Sequence, residues 1–202
     1  MKHTALALPR IAPSLAYALP LVAVILLAPA LAQAHIGAGI PADFTAGLQH
    51  PIGGADHVLA MGTVGLWAAL RGGRAVWAMP VVFLTAMLMG GVLGMTGVPL
   101  PGIEPAILAS IFVLGAAVAV ALRPHLAAAL TLIALFGMAH GHAHGVEAVG
   151  GAGFAAGFMA ATMALHMAGL AVGFGVLRSK QLWVARMLGA GAAVAGLALA
   201  FG

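Results

Sequence analysis

The sequence predicts an all-α protein, a polytopic membrane helix bundle with six transmembrane helices after a cleaved signal peptide. Three observations carry that prediction. The first is composition: of 202 residues, 63% are hydrophobic and 6% charged, and the mean hydropathy is +1.14. A soluble domain carries about 25% charged residues, so this chain belongs in a bilayer. The second is punctuation, because apolar stretches of spanning length alternate with short clusters of Gly, Pro and Arg. The third is the segregation of charge, with basic residues in alternate connections and acids in the others.

The first element is the leader, residues 1–34. Lys2 and Arg10 supply a positive region, Leu19 to Leu31 an apolar region, and Ala32-Gln33-Ala34 a small-residue cleavage site. The rival reading is an uncleaved first helix, interrupted by Pro20 and Pro29. Cleavage is the expectation, which divides the chain into a signal peptide, 1–34, and a six-helix transmembrane domain, 35–202. It leaves His35 at the new N-terminus, where amine and imidazole together form a chelate for a divalent cation. The alternative is an ordinary residue following a cleavage site.

Six apolar segments follow, at 52–70, 75–96, 104–122, 125–142, 152–177 and 183–201. Each suits a hydrocarbon core about 30 Å thick. They are separated by Arg71-Gly-Gly-Arg74, Gly97-Val-Pro-Leu-Pro-Gly102, Arg123-Pro124, Gly150-Gly151 and Arg178-Ser-Lys180. With the mature N-terminus outside, every Lys and Arg beyond the leader is cytoplasmic, as the positive-inside rule requires. The four acids, Asp43, Asp56, Glu104 and Glu147, fall on the outer side. Glu104 also has a local explanation, since a carboxylate near a helix N-terminus is favoured by the macrodipole. Gly90/Gly94, Gly153/Gly157 and Gly169/Gly173 recur at the four-residue spacing that permits close helix packing, a weak signal in a chain with 29 glycines.

Nine histidines against four acids is the unusual ratio. The first constellation is His50-Pro-Ile-Gly-Gly-Ala-Asp56-His57, which opens the apolar run to Leu70. Pro51 suits the first turn of a helix, where no backbone N–H is needed. On that reading His50 sits at the helix mouth and Asp56 and His57 lie one to two turns inside. A carboxylate costs about 2.5–3.5 kcal/mol in a membrane helix, so such residues bind something or relay protons. The second constellation is Ala139-His140-Gly141-His142-Ala143-His144-Gly145-Val146-Glu147. His140, His144 and Glu147 are spaced i, i+4, i+7 and share one face of a continuing helix, with His142 on the other side. Imidazole and carboxylate without thiolate lean towards nickel, cobalt or zinc. The first helix enters from outside and the fourth leaves there, so the clusters meet at similar depth. A polar, metal-free loop is the alternative for the second tract alone. His166, near the middle of the fifth segment, is either a further station on a metal path or a core histidine bonded to a neighbouring helix. Met61, Met159 and Met163 are read as flexible packing, and His125 as interfacial.

The two constellations resemble the HupE/UreJ family of membrane proteins associated with hydrogenase and urease maturation. That family carries H-x5-D-H in its first mature helix, matched by His50, Asp56 and His57. In the fourth it carries F-H-G-x-[AV]-H-G-x-E, matched by His140, Gly141, Ala143, His144, Gly145 and Glu147. Ala139 replaces the family's Phe, which removes a ring but no donor atom. The resemblance spans the mature chain and implies a nickel permease in the bacterial inner membrane.

The expected activity is permeation of a divalent metal, Ni²⁺ first and Co²⁺ second, from periplasm to cytoplasm, with no permanently bound cofactor and no catalysis. The expected metal residues are His50, Asp56, His57, His140, His144 and Glu147, with His35, His142 and His166 as further candidates. The partners are the ion and the lipid bilayer. Eight basic residues scattered between apolar segments form no nucleic-acid patch. The absence of cysteine removes thiolate sites and Cys nucleophiles. An intramembrane hydrolase is disfavoured, as neither H-E-x-x-H nor G-x-S-x-G occurs. A haem-b electron carrier using His57, His140 or His166, or a copper transporter using Met sulfur, are the other classes.

Overall fold

The computed structural model describes residues 43–147 and 151–201. The expected leader and His35 lie outside the described residues, as does the side chain of Glu147. The described residues form helices joined by short turns: α1 (Phe44–Gly53), α2 (Ala55–Arg71), α3 (Ala75–Met95), α4 (Ile103–Ala119), α5 (Leu126–Glu147), α6 (Gly151–Ser179) and α7 (Leu182–Phe201). Four of these, α3, α5, α6 and α7, are long and apolar enough to cross a membrane. Two further helices, α2 and the apolar α4, have 17 residues each. At 1.5 Å per residue each reaches about 25 Å, the short end of the spanning range.

The opening of the chain differs from the sequence expectation. Pro51 does not start the helix that runs to Leu70; it sits in the last turn of a separate short helix, α1. Asp43 starts that helix, its Oδ1 accepting the Ala46 N–H at 3.0 Å, which satisfies one of the unpaired N–H groups of a first turn. The break falls at Gly54, whose backbone is extended (φ −95, ψ 119). A Cβ there would come within 2.7 Å of Asp56 Oδ1 and 2.8 Å of His57 Nδ1. A side chain at this position would displace the Asp56 carboxylate and the His57 ring from where they stand. Asp56 and His57 therefore stand in the first turn of α2, not one to two turns below a helix mouth. There the Asp56 carboxylate also meets the positive end of the helix dipole.

Helix packing follows the small residues. In the parallel pair α3/α5, a Cβ on Gly137, Gly141 or Gly145 would run into the backbone of Phe83, Met87 or Gly91 respectively. From the other side, Gly90 and Gly94 lie against the α5 backbone at Met138 and His142. The parallel pair α2/α6 meets where Gly169 faces Gly62 and Gly65 faces His166. Gly157 seats α6 on Phe44 and Leu48 of α1. The antiparallel pair α4/α7 joins Gly115 to Gly189 and Ala193. All three four-residue glycine pairs read in the sequence thus face a neighbouring helix. Without a hydrophobic force between helices in lipid, such close backbone approach supplies the van der Waals contact.

The interior holds Trp67, Phe83, Met61, Met79, Ile111, Leu114 and Ile133, all fully buried. The outside is apolar as well: Trp77, Met89, Leu135, Met167, Phe174 and Val194 are exposed. This inverts the soluble pattern and fits a lipid surround. At one end of the bundle a cavity is lined by Asp56 and Glu104, and at the other a cavity is lined by Arg71, Arg123 and Arg186.

The glycine contacts give a direct test. Gly141→Ala places a methyl group against the Met87 carbonyl, and overpacking of this kind costs about 1–3 kcal/mol. The expected outcome is a lower melting temperature and less monodisperse protein in detergent. Gly175→Ala, at a position with open space around it, should melt at or above the wild-type temperature. The comparison is made by fluorescence-detected size exclusion after heating.

Candidate functional site

The break between α1 and α2 brings two imidazoles together from nearby in sequence. His50 ends α1 and His57 begins α2, their ring centroids 5.7 Å apart. The third comes from α5, which continues as one helix through the whole histidine tract to Glu147. His144 lies in its last turn, 4.6 Å from His50 and 4.7 Å from His57 between ring centroids. One ligand atom from each of His50, His57 and His144 can be chosen so that all lie within 4.8 Å of one another. The His57 and His144 Nε2 atoms are 2.6 Å apart, so one carries the proton that the other accepts.

Asp56 approaches His57 from behind, with Oδ1 2.9 Å from Nδ1. The contact is close but poorly aligned for a hydrogen bond. It still favours a proton on Nδ1, which leaves the Nε2 lone pair directed at His144. A carboxylate behind an imidazole is a common way to fix the tautomer of a histidine ligand and raise its basicity. The structure places the Asp56 carboxylate on the Nδ1 side of His57, and Asp56 lines the same cavity as the three histidines.

One turn below His144, as the i, i+4 spacing anticipates, His140 is fully buried. Its Nδ1–H donates to the Phe136 carbonyl at 2.9 Å, and its Nε2 is enclosed without a hydrogen-bond partner. Its ring centroid lies 5.5 Å from that of His57. His142 turns away from the cluster. Its Nε2–H donates to the Val98 carbonyl at 2.7 Å, tying α5 to the connection between α3 and α4. His166 is also fully buried, with both ring nitrogens unpartnered. It is separated from the cluster by Phe83, whose ring centroid is 5.6 Å from His140 and 5.1 Å from His166. An unsatisfied buried polar group costs about 1–3 kcal/mol, so the three unpartnered nitrogens of His140 and His166 are not accounted for by packing alone.

Two groups of residues were not placed beside the histidines by the sequence. Phe154 and Phe158 of α6 back the histidines, with Phe158 4.6 Å from His144, 5.6 Å from His50 and 5.9 Å from His57 between ring centroids. Phe158 follows Gly157, and that pairing of a small residue with a large one was the available signal. Glu104, explained locally from the sequence, lines the same cavity as His50, Asp56, His57 and His144. The cavity measures ≈ 280 Å³, room for a hydrated ion.

A multi-pass helical membrane protein with an imidazole cluster at one end of its bundle is the class these features define. The family model described as HupE / UreJ protein matches residues 22–199, and the chain belongs to that family. It is 42% identical over 180 residues to Protein HupE of Rhizobium leguminosarum bv. viciae, an alignment covering 86% of this chain and 92% of that protein. No solved structure matches.

The geometry predicts that His142 is a structural tie. In His142→Ala, loss of the bond to Val98, worth about 0.5–1.5 kcal/mol, should speed amide hydrogen exchange in the 96–102 connection. Exchange in the first turn of α2 should stay unchanged. Hydrogen-exchange mass spectrometry of the two variants side by side reads both segments.

Proposed function

We propose that the protein admits a divalent metal ion, Ni²⁺ in preference to Co²⁺, from the periplasm to the cytoplasm across the bacterial inner membrane, for hydrogenase or urease maturation. The observation that carries this reading is the convergence of His50, His57 and His144 from three helices onto a space one ion wide. Neutral imidazole suits nickel, cobalt and zinc, and three such donors with a carboxylate behind one of them form a mixed site of moderate strength. Moderate strength is what conduction needs, because an ion held too tightly does not leave. Ni²⁺ arrives hydrated at the cavity bearing Asp56 and Glu104, and the histidines replace part of its water shell. For one ion to take both His57 and His144, their Nε2 atoms open from 2.6 Å to about 3 Å, as metal–imidazole bonds of ~2.0–2.1 Å at adjacent positions require. The buried, unpartnered His140 Nε2 is the next donor inward, and His166, beyond Phe83, the one after it.

Six passages through the membrane, α2 to α7, with a cleaved leader and both mature termini periplasmic, complete the proposal. The basic end of the bundle is then cytoplasmic, in accord with the positive-inside rule. Glu147 and His35 stay candidates at the periplasmic face. The haem reading is less well supported: of its candidate ligands, His140 and His166 have the Phe83 ring between them, where a porphyrin would have to lie.

The test is initial uptake of radioactive nickel into proteoliposomes. Single Ala substitutions of His57, His144 or His140 should reduce uptake at least tenfold, whereas His142→Ala retains most of it. Asp56→Asn, which keeps shape but removes charge, should weaken uptake through apparent affinity. Uptake at the wild-type level in these variants, with the protein correctly inserted, would overturn the ligand set.

Proton competition supplies a second measurement. Histidine ligates only as the neutral imidazole, and unperturbed imidazole titrates near pH 6.5. Metal binding therefore releases protons, and affinity falls as pH falls. At subsaturating nickel and fixed internal pH, uptake should drop when the external pH is lowered from about 7 to about 5.5. A flat profile would assign the ion to carboxylates and water instead.

A further inference from the structure

The opposite end of the bundle holds a larger cavity, ≈ 350 Å³, between the C-terminal ends of α2 and α4 and the start of α7. Three guanidinium groups line it, those of Arg71, Arg123 and Arg186, together with Trp67, Trp183 and Leu182. Two of the arginines are fixed by backbone carbonyls: Arg71 Nη1 donates to Pro124 O at 2.7 Å and Arg123 Nη2 to Leu70 O at 3.0 Å. Trp67 Nε1 donates to Leu122 O at 3.0 Å, closing the floor. Each tie uses one edge of a guanidinium and leaves its charge uncompensated. Arg71 Nε is enclosed without a partner, and Arg186 is exposed with no hydrogen bond or ion pair among the described residues. The described carboxylates lie at the other end, Asp56 and Glu104 in the histidine cavity and Asp43 beside Gly153. Three arginines are thus gathered with no carboxylate of the described residues beside them.

We propose that this cavity seats the phosphodiester headgroup of an anionic phospholipid from the leaflet at the basic end. The guanidinium fork matches phosphate oxygens in pairs and keeps its charge at any physiological pH. Basic pockets between transmembrane helices on the cytoplasmic side are suited to anionic headgroups. The wall argues for a lipid rather than a soluble anion. Leu182 and Trp183 are each 53% exposed at the rim, where an acyl chain lies along them and the indole holds the interfacial level. Free phosphate has no use for that apolar rim.

The test is native mass spectrometry of the full chain in detergent, titrated with phosphatidylglycerol, with phosphatidylcholine of the same acyl chains, and with inorganic phosphate. The wild type should bind phosphatidylglycerol in preference to phosphatidylcholine. Arg186→Gln, at an exposed side chain with no structural bond, should weaken phosphatidylglycerol binding about fivefold, the equivalent of ~1 kcal/mol per basic residue. Arg74→Gln, at the same end but outside the cavity, should leave it unchanged. Equal binding of the two lipids, or equal losses in the two variants, would overturn the site in favour of diffuse charge. Displacement of the lipid by inorganic phosphate at matched concentration would overturn the lipid source.

Discussion

Distances in this bundle are set by backbone meeting backbone at glycine. The face of α5 that packs on α3 has no side chains at Gly137, Gly141 and Gly145, so the two helices touch along their main chains. The histidines of α5 occupy the remaining faces of the same turns, and their position relative to the rest of the molecule is therefore fixed by contacts that contain no flexible atoms. The same holds on the other side, where Gly157 and Gly169 hold α6 against α1 and α2. Lipid offers no hydrophobic reward for such contacts, and close packing must supply it. A site of imidazoles whose Nε2 atoms stand 2.6 Å apart needs a scaffold of that stiffness.

The electrostatics divide along the axis of the molecule. The Asp56 and Glu104 carboxylates and the clustered histidines gather at one end, guanidiniums at the other, and no described ion pair links them. Each end is left to find its counter-charge outside the protein. At the acidic end the natural complement is a cation; at the basic end it is an anionic surface. The single close acid–base contact among the described residues, Asp56 with His57, serves the imidazole, because it favours one tautomer over the other.

Much of this was legible in the residues. Hydropathy and punctuation gave the long helices nearly to their ends, and the i, i+4 rule placed His140 and His144 on one face with His142 apart. The two histidine clusters were expected to meet, and His57 and His144 do. What the sequence reading missed has a common physical origin. Pro51 has two favourable positions, the first turn of a helix and a turn just before a break, and periodicity cannot choose between them. The break falls at Gly54, with the side chains of Asp56 and His57 close over it. Phe158 and Glu104 were passed over because aromatic packing and dipole stabilisation each explain such a residue locally, and only the assembled bundle shows that both face the histidines.

The glycine contacts also partition the three imidazoles. His50 and His57 belong to the group α1, α2 and α6, whose members are seated on one another, while His144 rides on the group α3 and α5. A slide of one group along the other would leave every glycine contact intact within each group. It would nonetheless change the number of nitrogens around a shared ion from three to two. In the proposed site, the number of nitrogens offered to one ion would therefore depend on how the two groups of helices sit against each other.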